Sequence, residues 1–296
     1  MFETEHVLYI LISFSLTALI ILFAKRIKSR HWKNVLLVTI ALVTRIIHIS
    51  RIYVTFFTDP VIVNGVRYGR AWDDMFLPIY FCNYCMFLLI LAAVWTDKKS
   101  RFFNNLATFT AYGCIVGGTM TILGAPPGVS EWSTFQLALS HSTMLLGGWW
   151  LIAGGYVNVN VYNAIPMTFG FISCGIVGGL CELVYHVFGL PSPNAMFMVT
   201  GVPGVEWCKW WVIVIGTYLV VFAYASLYER FTREKQRRWY RNISDIWLYL
   251  KPLSEFKRRQ KGARIKGVKR ASSRSEKGGQ SYAEEYDEED VSAQDV

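Results

Sequence analysis

Seven long apolar segments constrain this chain more than any other feature of its sequence. They cover residues 7–23, 35–57, 76–95, 106–123, 135–153, 164–188 and 210–228. At about 1.5 Å of rise per residue, each is long enough to cross a hydrocarbon core of roughly 30 Å, the shortest only marginally. Because lipid offers no hydrogen-bond partners to the backbone, such segments form helices. The sequence therefore predicts an all-α, polytopic membrane bundle of about seven transmembrane helices.

The composition agrees with a membrane protein and argues against a soluble domain. Hydrophobic residues make up 53% of the chain, aromatic residues 16%, and the mean hydropathy is +0.31. A net charge of +9 is compatible with nucleic-acid binding, but 17 of the 30 Lys and Arg residues follow Tyr228, outside the apolar region. We therefore expect no nucleic-acid partner. The basic segment is predicted to contact anionic lipid headgroups, or simply to be a solvated tail that fixes topology.

Three regions follow from this pattern: a transmembrane domain at residues 1–228, a basic juxtamembrane segment at 229–270 and a disordered acidic tail at 271–296. The first apolar segment follows Glu3 and Glu5 rather than a basic region, so we expect a retained helix and not a cleaved signal peptide. Basic loops at residues 25–33 and 98–101 predict an outside N-terminus and a cytoplasmic C-terminus. We expect the plasma membrane in a prokaryote and the endoplasmic reticulum in a eukaryote.

Ionisable and reactive side chains recur at one depth of the predicted bundle. Four of them lie eight to ten residues from the nearest outer charge or helix breaker, or about 12–15 Å: Arg51, Cys82, His141 and Glu182. Because such groups are costly in lipid, they predict an outward-opening polar cavity. Its candidate substrate-binding residues are His6, Arg45, His48, Arg51, Asn83, Glu182 and His186. Alternatively, Glu182 pairs with Arg45 or Arg51 only to fix helix register, and His6 and His48 are packing histidines.

Cys82 and His141 are the candidate catalytic residues. Pro78 is suited to the start of a helix, which would place Cys82 one turn later, near the positive end of the helix dipole. A neighbouring histidine would activate the thiol as a nucleophile, and Asn83 or backbone amides would stabilise an oxyanion. Below a membrane surface this pair suits acyl transfer between phospholipids, with arginines binding a phosphate headgroup.

A set of short motifs strengthens this hypothesis. They are Phe2-Glu3-Thr4-Glu5-His6, Leu77-Pro78 with Cys82-Asn83, Gly117-Gly118-Thr119 leading to Pro126, Leu139-Ser140-His141, and Asn194-Ala195-Met196-Phe197. On these residues the chain resembles the YwaF-like integral membrane proteins, which include the transmembrane protein 164 family of lipid acyltransferases. The resemblance covers most of residues 1–228. It implies a seven-helix fold and transfer of an acyl chain through Cys82, with His141 as the second motif residue. Many relatives carry His where this chain has Tyr80.

Three other functions are compatible with the same residues. Cys82 and Cys85 have the C-x-x-C spacing of thiol–disulfide oxidoreductases. Glu182, His186, His141 and Cys82 offer zinc ligands, although no compact ligand motif is present. A carrier or channel could use the same polar cavity. The acyltransferase hypothesis needs neither a metal nor another cofactor, and the sequence gives no indication of the oligomeric state.

Overall fold

The computed structural model describes residues 4–24, 26–55, 61–68, 72–124, 131–202 and 206–231. The chain divides into two compact units, residues 1–229 and 230–296. Apart from the last two residues of one helix, the second unit lies outside the described residues. The predicted basic juxtamembrane segment and acidic tail therefore lie almost wholly outside them as well.

Seven helices of 14 to 24 residues form the described part of the first unit, together with one short helical turn. In chain order the helices are α1 Thr4–Ala24, α2 Arg30–Ile49, the short α3 Ile52–Thr55, α4 Phe81–Val94, α5 Arg101–Gly124, α6 Glu131–Ala153, α7 Ala164–Val187 and α8 Trp210–Phe231. Each predicted apolar segment coincides with one long helix. The predicted all-α bundle is thereby confirmed at the level of fold class.

Short elements fill several connections between the helices. A two-stranded antiparallel hairpin, β1 Val61–Val63 and β2 Val66–Tyr68, turns at Asn64 and Gly65, both with positive φ. Three 3₁₀ turns lie at Trp72–Met75, Val161–Asn163 and Ala195–Phe197. We call the end that carries the hairpin, where α4 begins and α5 stops, the hairpin end. The opposite end, which carries Lys98 between α4 and α5, is called the basic end.

Five of the described helices are long and apolar enough to cross a membrane. They are His6–Ala24, Arg30–Ile49, Arg101–Gly124, Ala164–Val187 and Trp210–Tyr228. Helix α4 has 14 residues, or about 21 Å, which is short for a core of roughly 30 Å. Helix α6 has 23 residues but includes a polar stretch around Ser140–Thr143, and it is not among the five. A polytopic, membrane-embedded helical protein is therefore shown, whereas the count of seven spans and the orientation stay predictions.

The distribution of polar and apolar side chains is the reverse of that in a soluble protein. Large apolar side chains are exposed along α1, α7 and α8, including Leu11, Leu19, Ile176, Leu183 and Leu219. Polar side chains lie inside the bundle, where His48, Thr44, Thr110, Gln136, Ser140, His141 and Thr217 are buried. An apolar exterior of this extent requires lipid rather than water around it. The buried polar groups then mark the interior as the region where chemistry or binding takes place.

Helix α6 occupies the centre of the bundle and packs against α1, α2, α4 and α5. Its contact with α5 is antiparallel and depends on glycines of both helices. A Cβ atom at Gly118 of α5 would lie 2.9 Å from Leu145 Cβ, and one at Gly148 of α6 would lie 2.7 Å from the carbonyl oxygen of Ala111. Both distances are too short for a side chain. Glycine therefore sets the separation of the two helix backbones.

Helix α4 begins later than predicted. The apolar segment starts at residue 76, but Leu77 to Tyr80 are not helical and the helix begins at Phe81. The Met196 amide donates a hydrogen bond of 2.8 Å to the Ile79 carbonyl oxygen, which ties this stretch to the turn at Ala195–Phe197. Cys82 is consequently the second helical residue. The prediction that Pro78 opens the helix and that Cys82 follows one turn later was wrong.

The α5–α6 contact gives a first prediction. Replacing Gly148 with Ala forces the helices apart, because the new Cβ overlaps the Ala111 carbonyl, and should destabilise the protein by about 1–3 kcal/mol. The matched control is Gly179→Ala on α7, where a Cβ meets nothing within 4 Å. It should be neutral or slightly stabilising. Unfolding midpoints in detergent test this, and equal midpoints for the two variants would contradict glycine-limited packing.

A second prediction concerns Lys98 at the basic end. Its Nζ donates to the carbonyl oxygens of Ala92 and Ala93 at 2.6 and 2.9 Å and so caps the C-terminus of α4. Burial, and secondarily the charge of Arg30, lowers the pKa of Lys98 from 10.5 to about 8. Between these two values the unfolded chain binds the proton more tightly than the folded protein does. Folding stability should therefore rise as the pH increases from about 8 to about 10.5.

Lys98→Met removes this titration and is the comparison for the wild type. The gain of wild type over variant across that pH range should be under about 1 kcal/mol, because Lys98 is partly exposed and solvent screens its charge. Unfolding midpoints of both proteins at several pH values measure the difference. A difference that stays constant would show that Lys98 keeps an ordinary pKa, and one that shrinks as the pH rises would show that its pKa is raised. Either result contradicts the prediction.

Candidate active site

Cys82 lies in the first turn of α4, at the hairpin end, and its side chain is partly exposed. Its Sγ is 3.7 Å from Thr121 Oγ1 of α5, within hydrogen-bonding range for sulfur. The same sulfur is 3.6 Å from the position that a Cβ of Gly117 would take. Tyr80, at the N-cap, makes no side-chain cap hydrogen bond. The thiol therefore faces α5 close to the N-terminus of its own helix.

His141 is nearly fully buried on α6, with 1% of its surface exposed. Its Nδ1 lies 2.7 Å from the carbonyl oxygen of Leu137 and 3.2 Å from Ser140 Oγ. Since a carbonyl oxygen only accepts, Nδ1 carries the hydrogen and donates it to Leu137. In the neutral ring Nε2 then holds the lone pair. This arrangement gives the imidazole the tautomer that a general base needs, with Nε2 as the basic atom.

One turn of α5 brings the two helices that carry these residues together. Gly117 faces Cys82, and a Cβ there would also lie 3.2 Å from Met144 Cε, one turn beyond His141 on α6. Its neighbour Gly118 would place a Cβ 3.0 Å from the carbonyl oxygen of His141. Cys82 and His141 thus lie on either side of adjacent glycines. Without side chains at these two positions, α4 and α6 approach the same turn of α5.

Helix α1 closes the opposite side of α6. Tyr9 and Ser13 place their hydroxyl oxygens 2.9 and 2.7 Å from Ser142 Oγ, on the residue that follows His141. His6 donates from Nε2 to the carbonyl oxygen of Ile122 at 2.7 Å, near the end of α5. His6 therefore caps carbonyl groups of α5. This role resembles the packing alternative more than substrate binding.

Asn83 is buried next to Cys82 and donates from Nδ2 to the carbonyl oxygen of Leu77 at 3.5 Å. This contact braces the non-helical stretch before α4. Arg45 and His48 lie on α2 and Arg51 follows its end, and all three are buried. Asn83 and Phe87 lie one turn apart on α4, and the Arg45 guanidinium stacks over the Phe87 ring at 4.1 Å. Arg45 thus lies beside a face of α4 other than the one that Cys82 presents to α5.

Glu182 and His186 belong to a different part of the hairpin end. The Glu182 carboxylate accepts hydrogen bonds from Ser192 Oγ at 2.7 Å and from the Ala195 amide at 2.5 Å. These two hydrogen bonds replace the predicted pairing with Arg45 or Arg51. The side chains of Glu182 and His186 line a surface cavity of about 410 Å³. Its lining residues are Gly65, Glu182, Leu183, His186, Leu190 and Ser192, so Cys82 and His141 do not contribute to it.

The metal and disulfide alternatives find little support in this arrangement. Within the described residues there is no group of three or more His, Cys, Asp or Glu side chains that could hold a metal ion. Cys85 is completely buried, and its Sγ lies 2.6 Å from the position of a Gly113 Cβ, so it packs into α5. A resolving thiol has to be accessible to a partner. Cys85 is therefore poorly placed to serve with Cys82 in disulfide exchange.

Thr121 is the site residue that the sequence analysis missed. It lies one helical turn beyond Gly117, so its hydroxyl projects from the same face of α5 toward Cys82. A threonine in an apolar segment does not by itself indicate a functional site. The spacing of four residues from the glycine would have identified it only once α5 was known to face Cys82.

The chain was also compared with protein-family models, curated proteins and solved structures, and none of them matches it. The resemblance to the YwaF-like proteins therefore rests on the sequence motifs quoted above, and the acyltransferase function stands as a proposal.

Proposed function

We propose that this protein is a membrane-embedded acyltransferase that moves a fatty acyl chain between phospholipids through Cys82 and His141. The observation that carries the proposal is the convergence of α4 and α6 on Gly117 and Gly118. It combines a thiol at a helix N-terminus with a buried imidazole whose Nδ1 is committed to a carbonyl oxygen. A nucleophile, a base and a lipid-facing surface are the parts that such a transfer requires.

The reaction proceeds in two half-reactions. His141 Nε2 accepts the thiol proton, and the Cys82 thiolate attacks the ester carbonyl carbon of the donor lipid. The tetrahedral intermediate collapses to a thioester, and the departing lipid alkoxide takes the proton from His141. In the second half, His141 removes the proton from the hydroxyl of an acceptor lipid, whose oxygen attacks the thioester. The acyl chain leaves on the acceptor, and the Cys82 sulfur recovers its proton from His141.

Local groups of α4 and α5 support the charged species in this scheme. Amide groups in the first turn of α4 have no helical acceptor and are suited to stabilise an oxyanion near Cys82. The Thr121 hydroxyl, 3.7 Å from Sγ, is placed to donate a hydrogen bond to the thiolate. Burial of His141 limits access of water, which favours transfer to a lipid hydroxyl over hydrolysis.

The exposed apolar faces of α1, α7 and α8 are suited to contact the lipids that would be its substrates. The basic loops favour a cytoplasmic basic end, which puts Cys82 in the outer or lumenal half of the bilayer. The membrane is the plasma membrane in a prokaryote or the endoplasmic reticulum in a eukaryote.

A third prediction tests the catalytic pair. In proteoliposomes with a labelled lysophospholipid, Cys82→Ala should abolish acyl transfer, and His141→Gln should reduce it by about 10²–10⁴-fold, the usual contribution of a general base. Cys208→Ala, a partly exposed cysteine outside the site, is the matched control and should retain activity. Mass spectrometry should also find a thioester on the Cys82 peptide of the wild type. Unchanged lipid profiles for folded wild type and both variants would instead favour a carrier or channel.

A fourth prediction tests the role of Thr121 by a measurement that does not depend on acyl transfer. If its hydroxyl donates to the Cys82 thiolate, Thr121→Val should slow alkylation of Cys82 by iodoacetamide about tenfold at neutral pH. Thr121→Ser keeps the donor and should react nearly as fast as the wild type. Equal rates for the valine and serine variants would show that the 3.7 Å contact does not stabilise the thiolate.

A further inference from the structure

Three basic side chains lie in a row at the hairpin end of α2. Arg45, His48 and Arg51 recur every third residue and therefore share one side of the helix and of the turn that follows it. All three are at least nine-tenths buried, with 8%, 0% and 9% of their surfaces exposed. The carbonyl end of α2 favours nearby cations. The helix dipole explains why basic residues are found at this end of α2, but it is not a hydrogen-bond acceptor for their side chains.

Arg45 is the informative member of the row. Its Nη2 donates to the Met75 carbonyl oxygen, and its guanidinium plane covers the Phe87 ring. Its Nη1 is buried without a hydrogen-bond partner, and Arg45 forms no ion pair with a carboxylate of the described residues. Two carboxylates of the hairpin end have other partners: Asp73 pairs with Arg67 at 2.8 Å, and Glu182 accepts hydrogen bonds from Ser192 and Ala195. Among the residues that the structure describes, this buried permanent cation therefore has no counter-ion.

Gln136 of α6 supplies a complementary group at the same turn of α2. Its Nε2 donates to the carbonyl oxygens of Ile47 and His48, both at 3.1 Å, which fixes the orientation of the amide. Its Oε1 is then buried without a partner. Arg45 and His48 are separated by three residues, or about 4.5 Å of helix rise. Arg45, with its unused charged donor, thus lies within three residues of the α2 carbonyls that Gln136, with its unused neutral acceptor, binds.

Both unused atoms are costly in an apolar interior. A buried polar group without a partner destabilises the folded protein, and a buried charge without a partner destabilises it more. A ligand that satisfies both must offer an anionic acceptor to Arg45 and a hydrogen-bond donor to Gln136. A phosphate that keeps one proton has both groups, since its charged oxygens accept and its P–OH donates. Sulfate at neutral pH has only acceptors.

We infer that the cluster formed by Arg45, His48 and Gln136 binds a protonated phosphate group, with a charged oxygen on Arg45 Nη1 and the P–OH on Gln136 Oε1. Two sources carry this chemistry: inorganic phosphate and the phosphomonoester headgroup of a membrane lipid. The site does not depend on acyl transfer, because Cys82 faces α5 whereas this cluster lies against α2. The phosphate site can therefore be tested independently of the proposed function.

The test is the thermal stability of the delipidated full-length protein in a maltoside detergent. The probes are inorganic phosphate, sulfate, short-chain phosphatidic acid, and diacylglycerol as the lipid without phosphate. At about 100 times its Kd, a bound probe should raise the melting temperature by about 5 °C. Phosphatidic acid should give this rise, either as the only probe that does so or together with inorganic phosphate tested separately. Sulfate and diacylglycerol should not give it. A rise with the lipid alone identifies the headgroup as the source, and a rise with both identifies a free anion site.

Variants decide whether the response belongs to this cluster. Arg45→Met should lose the phosphate response and, without phosphate, melt at or above the wild-type temperature, because an uncompensated buried charge has been removed. Gln136→Leu should lose the preference for phosphate over sulfate, a readout that remains if Arg45→Met does not fold. Arg30→Met, at the opposite end of α2, is the matched control and should respond like the wild type. The inference is overturned if no phosphate probe stabilises the wild type, or if Arg45→Met and Gln136→Leu both respond as the wild type does.

Discussion

The close approach of α5 and α6 is the contact on which the rest of the bundle depends. Gly118 and Gly148 bring the two backbones together until side-chain and carbonyl atoms touch. In lipid, helices gain little from burying apolar side chains, so association comes mainly from such packing and from hydrogen bonds between helices. The middle of α6 packs against neighbouring helices. Gln136, Ser140 and His141 are buried there and do not face lipid.

This position of α6 explains why a helix with several polar side chains in its middle is also the most central. Its polar groups reach three neighbours: Gln136 bonds to α2, Ser142 meets two hydroxyl groups of α1, and His141 lies against Gly118 of α5. The hydrogen bonds of Gln136 and Ser142 satisfy groups that would be costly in lipid. The same contacts orient the helix about its own axis. The direction of His141 is therefore a consequence of how the whole helix is held.

Much of this arrangement could be predicted from the sequence, and the reasons for the exceptions are physical. Apolar length predicts the helices, whereas the common depth of Cys82 and His141 in the membrane stays a prediction. The start of α4 was missed because the bond from the Met196 amide to Ile79 joins residues far apart in sequence. The partners of Glu182 were missed for the same reason. An acidic residue in an apolar helix suggests a cation, and nothing local indicates that a hydroxyl and an amide will take its place.

Glu182 stabilises a turn whose backbone is strained. Asn194, Met196 and Phe197 all have φ between 51° and 57°, a region that residues other than glycine rarely occupy. The Glu182 carboxylate binds the Ala195 amide inside this turn, and Ser192 links it to the hairpin through backbone bonds with Gly65 and Arg67. The turn in turn holds Ile79, three residues before Cys82. Glu182 therefore affects the thiol through the backbone that precedes α4, which gives this carboxylate a structural reason to lie inside an apolar helix without an arginine beside it.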